Sequence, residues 1–176
     1  PFLINNLTRH MRFPLTAFDS DAIVTTDIQV NAHNLSLRYS VAVTQGLVWP
    51  EFKALERKAE LWKSTCLELF LSSPDDPAYL EINLSPCGGW NIYSFSSYRK
   101  GMKTAPFTEL VDFRVERPGV ITATFDIDTL PDPVLFGPAT ILADKDGSLR
   151  YFSTKHGRTP DFHNREHHVL VAADDL

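Results

Sequence analysis

Between its prolines and glycines this chain alternates apolar and polar residues with a period of two, and that pattern restricts it to strands. In residues 35–43, Leu35, Leu37, Tyr39, Val41 and Val43 alternate with Ser36, Arg38, Ser40 and Ala42. Successive strand side chains point to opposite faces, so such a run buries one face and leaves the other polar. Residues 121–127 repeat the pattern, with Ile121, Ala123, Phe125 and Ile127 set between Thr122, Thr124 and Asp126. Residues 22–30, 66–71, 79–84, 90–95, 110–116, 139–144, 149–153 and 168–172 have the same character, which predicts about ten strands. Only residues 51–62 have helical composition, behind Pro50, and they predict a short helix or a loop insertion. Short strands without helical crossovers predict an all-β fold, an antiparallel β-sandwich of two sheets in the jelly-roll manner.

The 176 residues show no linker, repeat or low-complexity tract, so the reading is a single domain over residues 1–176. A formal charge of −5, with no basic cluster beyond pairs such as Arg57-Lys58, argues against nucleic acid as a partner, because phosphate backbones require several cations on one face. No run approaches the roughly 18 apolar residues of a membrane span. Cys66 and Cys87 are too few for a disulfide scaffold or a thiolate metal cage. Cysteine usage favours the cytoplasm, while a chain that starts at Pro1 leaves export open.

The densest information lies between Leu61 and Met102, where three strands are separated by the turns Ser73-Pro74-Asp75-Asp76-Pro77 and Ser85-Pro86-Cys87-Gly88-Gly89. If the leucines share a face, Leu67, Leu69 and Leu71 align with Leu84, Ile82 and Leu80, and a one-residue slip would bury the polar set instead. The opposite face then carries two cross-strand rows, Glu68/Asn83/Asn91 and Phe70/Glu81/Tyr93. Carboxylates and carboxamides pair with vicinal hydroxyls, and rings cover the C–H face of a pyranose, so this mixture suits a sugar. The plainer reading is a solvated sheet face with cross-strand pairs. Trp62, six residues before Glu68, stands at the mouth of the strand as a stacking ring. Trp90 joins the aliphatic face as a core residue, and Trp49 is either a loop anchor or a second platform.

The string from Leu61-Trp62 through Cys66-Leu67-Glu68-Leu69-Phe70-Leu71, the run Tyr79-Leu80-Glu81-Ile82-Asn83-Leu84-Ser85-Pro86, then Gly89-Trp90, Tyr93, Phe95 and Tyr98-Arg99-Lys100-Gly101-Met102, resembles a bacterial group of DOMON-like domains. These are related to the family 9 carbohydrate-binding modules. Lys155-His156 and Pro160-Asp161-Phe162-His163 resemble the group's closing pattern, so the similarity runs from about Leu35 onward. The resemblance implies two antiparallel sheets with a ligand site on a concave face. Trp62 and Glu68 match the modules' tryptophan and carboxylate, and Arg99 stands where they make a polar contact. Their second stacking tryptophan has no counterpart; Tyr151, Phe152 and His156 occupy that region.

Other chemistries compete for the same residues. Glu68 and Glu81 on neighbouring strands have the spacing of a glycosidase pair. DOMON-like domains also bind haem, for which Met11, Met102 and His156 are the candidate ligands. His163 and His167 lack the glutamate of the zinc-protease motif and read as a solvated loop. Asp144-Lys145-Asp146-Gly147 reads as a tight turn, and a Cys66–Cys87 disulfide is left open. The resulting expectation is a non-catalytic binder of a small sugar or oligosaccharide, with no metal and no cofactor, using Trp62, Glu68, Glu81, Asn83, Asn91, Tyr93, Arg99 and His156. The alternatives are a haem or redox-associated domain and a glycoside hydrolase.

Overall fold

The computed structural model describes residues 8–31, 33–42, 45–105, 109–127 and 129–172. Among them thirteen strands form in the order β1 (Arg9–Ala17), β2 (Ile23–Val30), β3 (Asn34–Val41), β4 (Glu56–Arg57), β5 (Cys66–Ser72), β6 (Tyr79–Leu84), β7 (Gly89–Phe95), β8 (Lys103–Thr104), β9 (Glu109–Arg117), β10 (Val120–Asp126), β11 (Val134–Ala143), β12 (Leu149–Ser153) and β13 (Val169–Val171). Among the described residues the helical content is two 3-10 turns, Leu61–Lys63 and Arg165–His167. No helix of the described residues is long and apolar enough to cross a membrane.

Hydrogen bonding links the strands in one path, β4-β7-β6-β5-β11-β12-β1-β2-β3-β10-β9, with β13 added to β11 and β8 to β7. All pairs are antiparallel except β4–β7. The expectation of two separate sheets is therefore replaced by one continuous, curled, mixed sheet. Its two halves are joined at a narrow seam, where β1 meets β12 only at Thr16↔Ser153 and Ala17↔Phe152. The curl brings the far ends of the ribbon together around one core. Leu35, Leu37, Ile121 and Phe125 from β3 and β10 pack in the same cluster as Leu67, Leu69, Ile82 and Leu84 from β5 and β6. Trp90 meets Phe125 across it at 6.3 Å, Phe13 meets Phe136 at 6.4 Å, and the Tyr39 hydroxyl donates to the Glu68 carbonyl.

All ten alternating segments are strands, although Val43, at the end of one, lies outside the described residues. β1 lies outside the predicted set although Met11, Phe13, Leu15 and Ala17 alternate with His10, Arg12, Pro14 and Thr16, because a proline and basic residues on its outer face argue against a strand. Pro14 is tolerated there because β1 pairs only with β2 at that position, and a strand edge has no ladder bond to lose. In β11, Pro138 falls where the flank passes from β13 to β12. The predicted helix option over residues 51–62 is not realised. Residues 51–60 are exposed throughout and offer no buried face to stabilise a helix. The segment runs extended beside β7 instead, with Lys53, Glu56 and Lys58 amides donating to the carbonyls of Cys87, Gly88 and Trp90. Gly88, at φ 93°, makes that approach possible, since a Cβ would lie 2.3 Å from the Ala54 carbonyl oxygen. Both cysteines are free thiols, with Cys87 Sγ 3.2 Å from Ser85 Oγ.

Tyr39 is fully buried, and its hydroxyl ties β3 to β5 through the core. Tyr39→Phe is expected to cost about 1 kcal/mol, read as a lower urea midpoint at an unchanged slope.

Candidate functional site

The register between β5, β6 and β7 is the one the leucine alternation requires. Leu67, Leu69 and Leu71 pair with Leu84, Ile82 and Leu80, so Glu68 lies across from Asn83, Phe70 from Glu81, Glu81 from Tyr93 and Asn83 from Asn91. This second face is not an open surface. A separate cluster containing Leu61, Phe70, Tyr79, Tyr93, Phe95, Ile141 and Phe162 packs on it, so β5 is buried along its whole length. Between that face and its cover a cavity of about 440 Å³ remains. Glu68, Phe70, Glu81 and Phe95 form its floor, and Ile141 and Tyr151 one side. Trp62 of the first 3-10 turn, Arg99 and Met102 of the loop after β7, and Pro160, Phe162 and His163 of the closing loop complete the wall.

Two loops meet over the cavity through a polar latch. Arg99 Nη2 lies 2.8 Å from Asp161 Oδ1, and the Tyr98 hydroxyl donates to Asp161 Oδ2 at 2.6 Å. Tyr79 Oη accepts the Arg99 amide at 3.1 Å and lies 2.7 Å from His163 Nδ1. If Tyr79 donates to Nδ1, the His163 proton sits on Nε2, which faces Glu81 Oε2 at 3.8 Å. His163 also packs edge-on against Phe70, Tyr79 and Phe95, so burial first, and then the Arg99 charge, lowers its pKa to about 4. Behind it, His168 Nε2 lies 2.8 Å from the Phe162 carbonyl oxygen and its ring presses on Gly137. A Cβ at Gly137 would lie 2.4 Å from that imidazole, so only glycine admits this packing.

Burial also governs the two floor carboxyls. It pushes the Glu81 carboxyl up to about 7, against the lowering effect of the Asn83 amide, which donates to Oε1 at 2.8 Å, and of the Arg99 charge. Glu68 is raised well above the usual carboxylate range, by burial first and then by the charge of Glu81. Asn83 Oδ1 is buried without a donor among the described residues, beside Glu68 in the strand pairing. A carboxyl that keeps its proton is a donor, so both observations point to a protonated Glu68.

Of the residues singled out by sequence, Trp62, Glu68, Glu81 and Arg99 line the cavity. Asn83, Asn91 and Tyr93 lie outside its wall and brace it. Asn91 Nδ2 donates to Tyr93 Oη at 3.1 Å and to the Lys58 carbonyl at 3.4 Å, and the Tyr93 ring meets Trp62 edge-on at 5.8 Å. His156 is elsewhere, against Phe18 and 2.7 Å from the Thr16 carbonyl oxygen near the β1–β12 seam. The solvated-loop reading of His163 and His167 is corrected: His163 is a half-buried member of the wall, and His167 is buried, with Nδ1 3.2 Å from the Asp161 carbonyl oxygen. Of the haem candidates, Met11 packs on the main core and Met102 lines the cavity. Phe95, Ile141, Tyr151 and Phe162 were missed as site residues. Their sequence signal is indistinguishable from that of core strands and turns.

The fold and cavity define a class: an all-β domain built on one curled sheet, with a ligand-sized chamber on the face turned away from the main core. No known protein family matches the chain, and no curated protein sequence does. Among solved structures the chain is similar to a "putative carbohydrate-binding protein" from Bacteroides uniformis, with a TM-score of 0.64 and 12% identity, covering 93% of this chain and 85% of that one. That likeness establishes the fold.

Stability should follow the two shifts in opposite directions. The contribution of Glu81 is fully present below about 4.5, its unfolded value, and is lost as pH rises through about 7. The contribution of His163 is present above 6.5 and is lost as pH falls through about 4. Between about pH 4.5 and 6.5 these two contributions offset one another, and Glu68, also raised, loses stability with rising pH as Glu81 does, so Tm is expected to fall from about pH 5 to about pH 8, with Glu81→Gln raising Tm by several degrees at about pH 8 and changing it little at about pH 5.

Proposed function

We propose that this protein is a non-catalytic carbohydrate-binding module that takes a small sugar, or the end of an oligosaccharide, into this cavity without a cofactor. One observation carries the reading: a single chamber, within the size range of small-molecule sites, sets aromatic walls around buried hydrogen-bonding carboxyls. Trp62 covers the C–H face of the ring, and Glu68, Glu81 and Arg99 bond its hydroxyls. The name of the structural neighbour supports the same ligand class. In this reading the chain is DOMON-like, with the two halves of the curled sheet as the counterparts of the sandwich's two sheets, and Trp62 and Glu68 as the shared binding motif.

Hydrolysis of a glycoside is the second reading, favoured by a carboxyl held at about 7, which is a proton donor at neutral pH. It asks for one proton-bearing and one ionised carboxyl, whereas burial raises both of these. Binding without bond cleavage needs no such division.

A glycan array followed by titration calorimetry tests the proposal. Trp62→Ala is expected to remove most of the affinity, and Glu68→Ala to cost about 1–3 kcal/mol by leaving a partner group unbonded. Absence of binding to any sugar would sink the binding reading. Turnover of a chromogenic glycoside that disappears in Glu81→Gln would replace it with hydrolysis.

A further inference from the structure

We propose that the ligand carries a protonated amine, which docks on the Glu68 and Glu81 carboxyls inside the aromatic chamber, so that the sugar this site takes is an amino sugar. The inference rests on the sugar-binding reading above and narrows its ligand class.

The argument begins with charge. Arg99 and His163 are the basic residues in the wall, and neither is free to balance the floor. Arg99 is paired with Asp161 at 2.8 Å, and His163 is held neutral between the rings of Phe70, Tyr79 and Phe95. Glu68 and Glu81 are 3% and 4% exposed, diagonal neighbours on one face of β5 and β6, and among the described residues the cations near them are Arg99, which is held by Asp161, and the neutral His163. Ionising a buried carboxyl without a counter-charge is costly, so the empty pair keeps its protons, and a neutral hexose, which brings only hydrogen bonds, leaves it so. An ammonium group brings the charge that lets a buried carboxylate form and pair with it. Trp62, Phe70, Phe95 and Tyr151 add ring faces and edges around the same space, and a cation over a ring face is attracted by its quadrupole.

The proton balance follows. In the empty chamber the pair holds a proton at neutral pH, and an arriving ammonium favours the carboxylate, so one proton passes from the pair to solvent for each ligand bound. The groups that face the pair or bond to it are Cys66 on β5, Tyr93 on β7, Tyr79 and Asn83 on β6, Tyr39 on β3, Arg99 on its loop, and Asp161 and His163 on the closing loop. Cys66 stays protonated, because burial and the glutamates push its thiol up. His163 is already neutral, and the Arg99–Asp161 pair keeps its charges.

Titration calorimetry of the intact protein with glucose, glucosamine and N-acetylglucosamine, and with the corresponding galactose series, tests this in two buffers of different ionisation enthalpy. At about pH 7 an amino hexose is expected to bind about tenfold more tightly than its parent and N-acetyl forms, with a buffer-dependent heat that reports proton release. Its affinity should rise from about pH 5.5 to about pH 7, a range in which an amine keeps its proton. Glu81→Gln should weaken the amino hexose far more than the parent hexose. Parent and amino hexoses binding equally, or a heat independent of buffer in the unsubstituted protein, would overturn the amine assignment and leave sugar binding standing. No binding by any of the six would overturn the amine assignment, and with an empty glycan array it would overturn sugar binding as well.

Discussion

The structure depends on the burial of alternate aliphatic side chains along β5, β6 and β7. Leu67, Leu69, Ile82 and Leu84 enter the main core against Leu37, Ile121 and Phe125 from the opposite half of the ribbon. At roughly 1.5–3 kcal/mol for each such side chain, a slip of one residue in any of these strands is prohibitive. That constraint holds Glu68, Glu81 and Asn83 on the other face and sets their cross-strand order. The site is therefore a by-product of core register, and its floor is as rigid as the sheet.

The other face would ordinarily meet water. Here the 3-10 turn at Leu61–Lys63 and the loop carrying Pro160, Phe162 and His163 cover it, and the cover turns a polar sheet face into a partly enclosed chamber with a buried floor. Burial of the floor accounts for the electrostatics. The same burial that raises Glu68 and Glu81 lowers His163, so at neutral pH the chamber avoids isolated charges by keeping protons on acids and off the imidazole. Charge is tolerated only at the rim, where Arg99, Asp161 and Tyr98 satisfy one another and join the two covering loops.

Much of this was legible in the chain. The ten alternating segments are strands, and the rows Glu68/Asn83/Asn91 and Phe70/Glu81/Tyr93 have the expected register, because period-two burial determines both face and pairing. Trp90 in the main core was legible for the same reason. β1 was missed although Met11, Phe13, Leu15 and Ala17 alternate correctly, because Pro14 and the basic residues on its outer face read as a strand breaker and a polar terminus, and only the pairing with β2 shows that they are tolerated there. The 51–62 segment has helical composition, yet residues 51–60 lie extended because they have no buried face, and only Leu61 and Trp62 turn, into the 3-10 turn that Leu61 anchors. His163 carried no periodic signal, and its burial comes from Phe70, Tyr79 and Phe95, residues 68 to 93 positions away.

Sequence by itself determined the strand content, the inward face of each strand, and the identity of the acids and amides opposite the leucines, because these follow from local alternation. Tertiary structure alone decided that the sheet is one ribbon joined at a two-residue seam, that the polar face is covered, and that Glu68 and Glu81 sit buried beside a neutral histidine. Those outcomes depend on how distant segments close over one another. The free energy of a buried charge depends on that enclosure and leaves no trace in the spacing of residues along the chain.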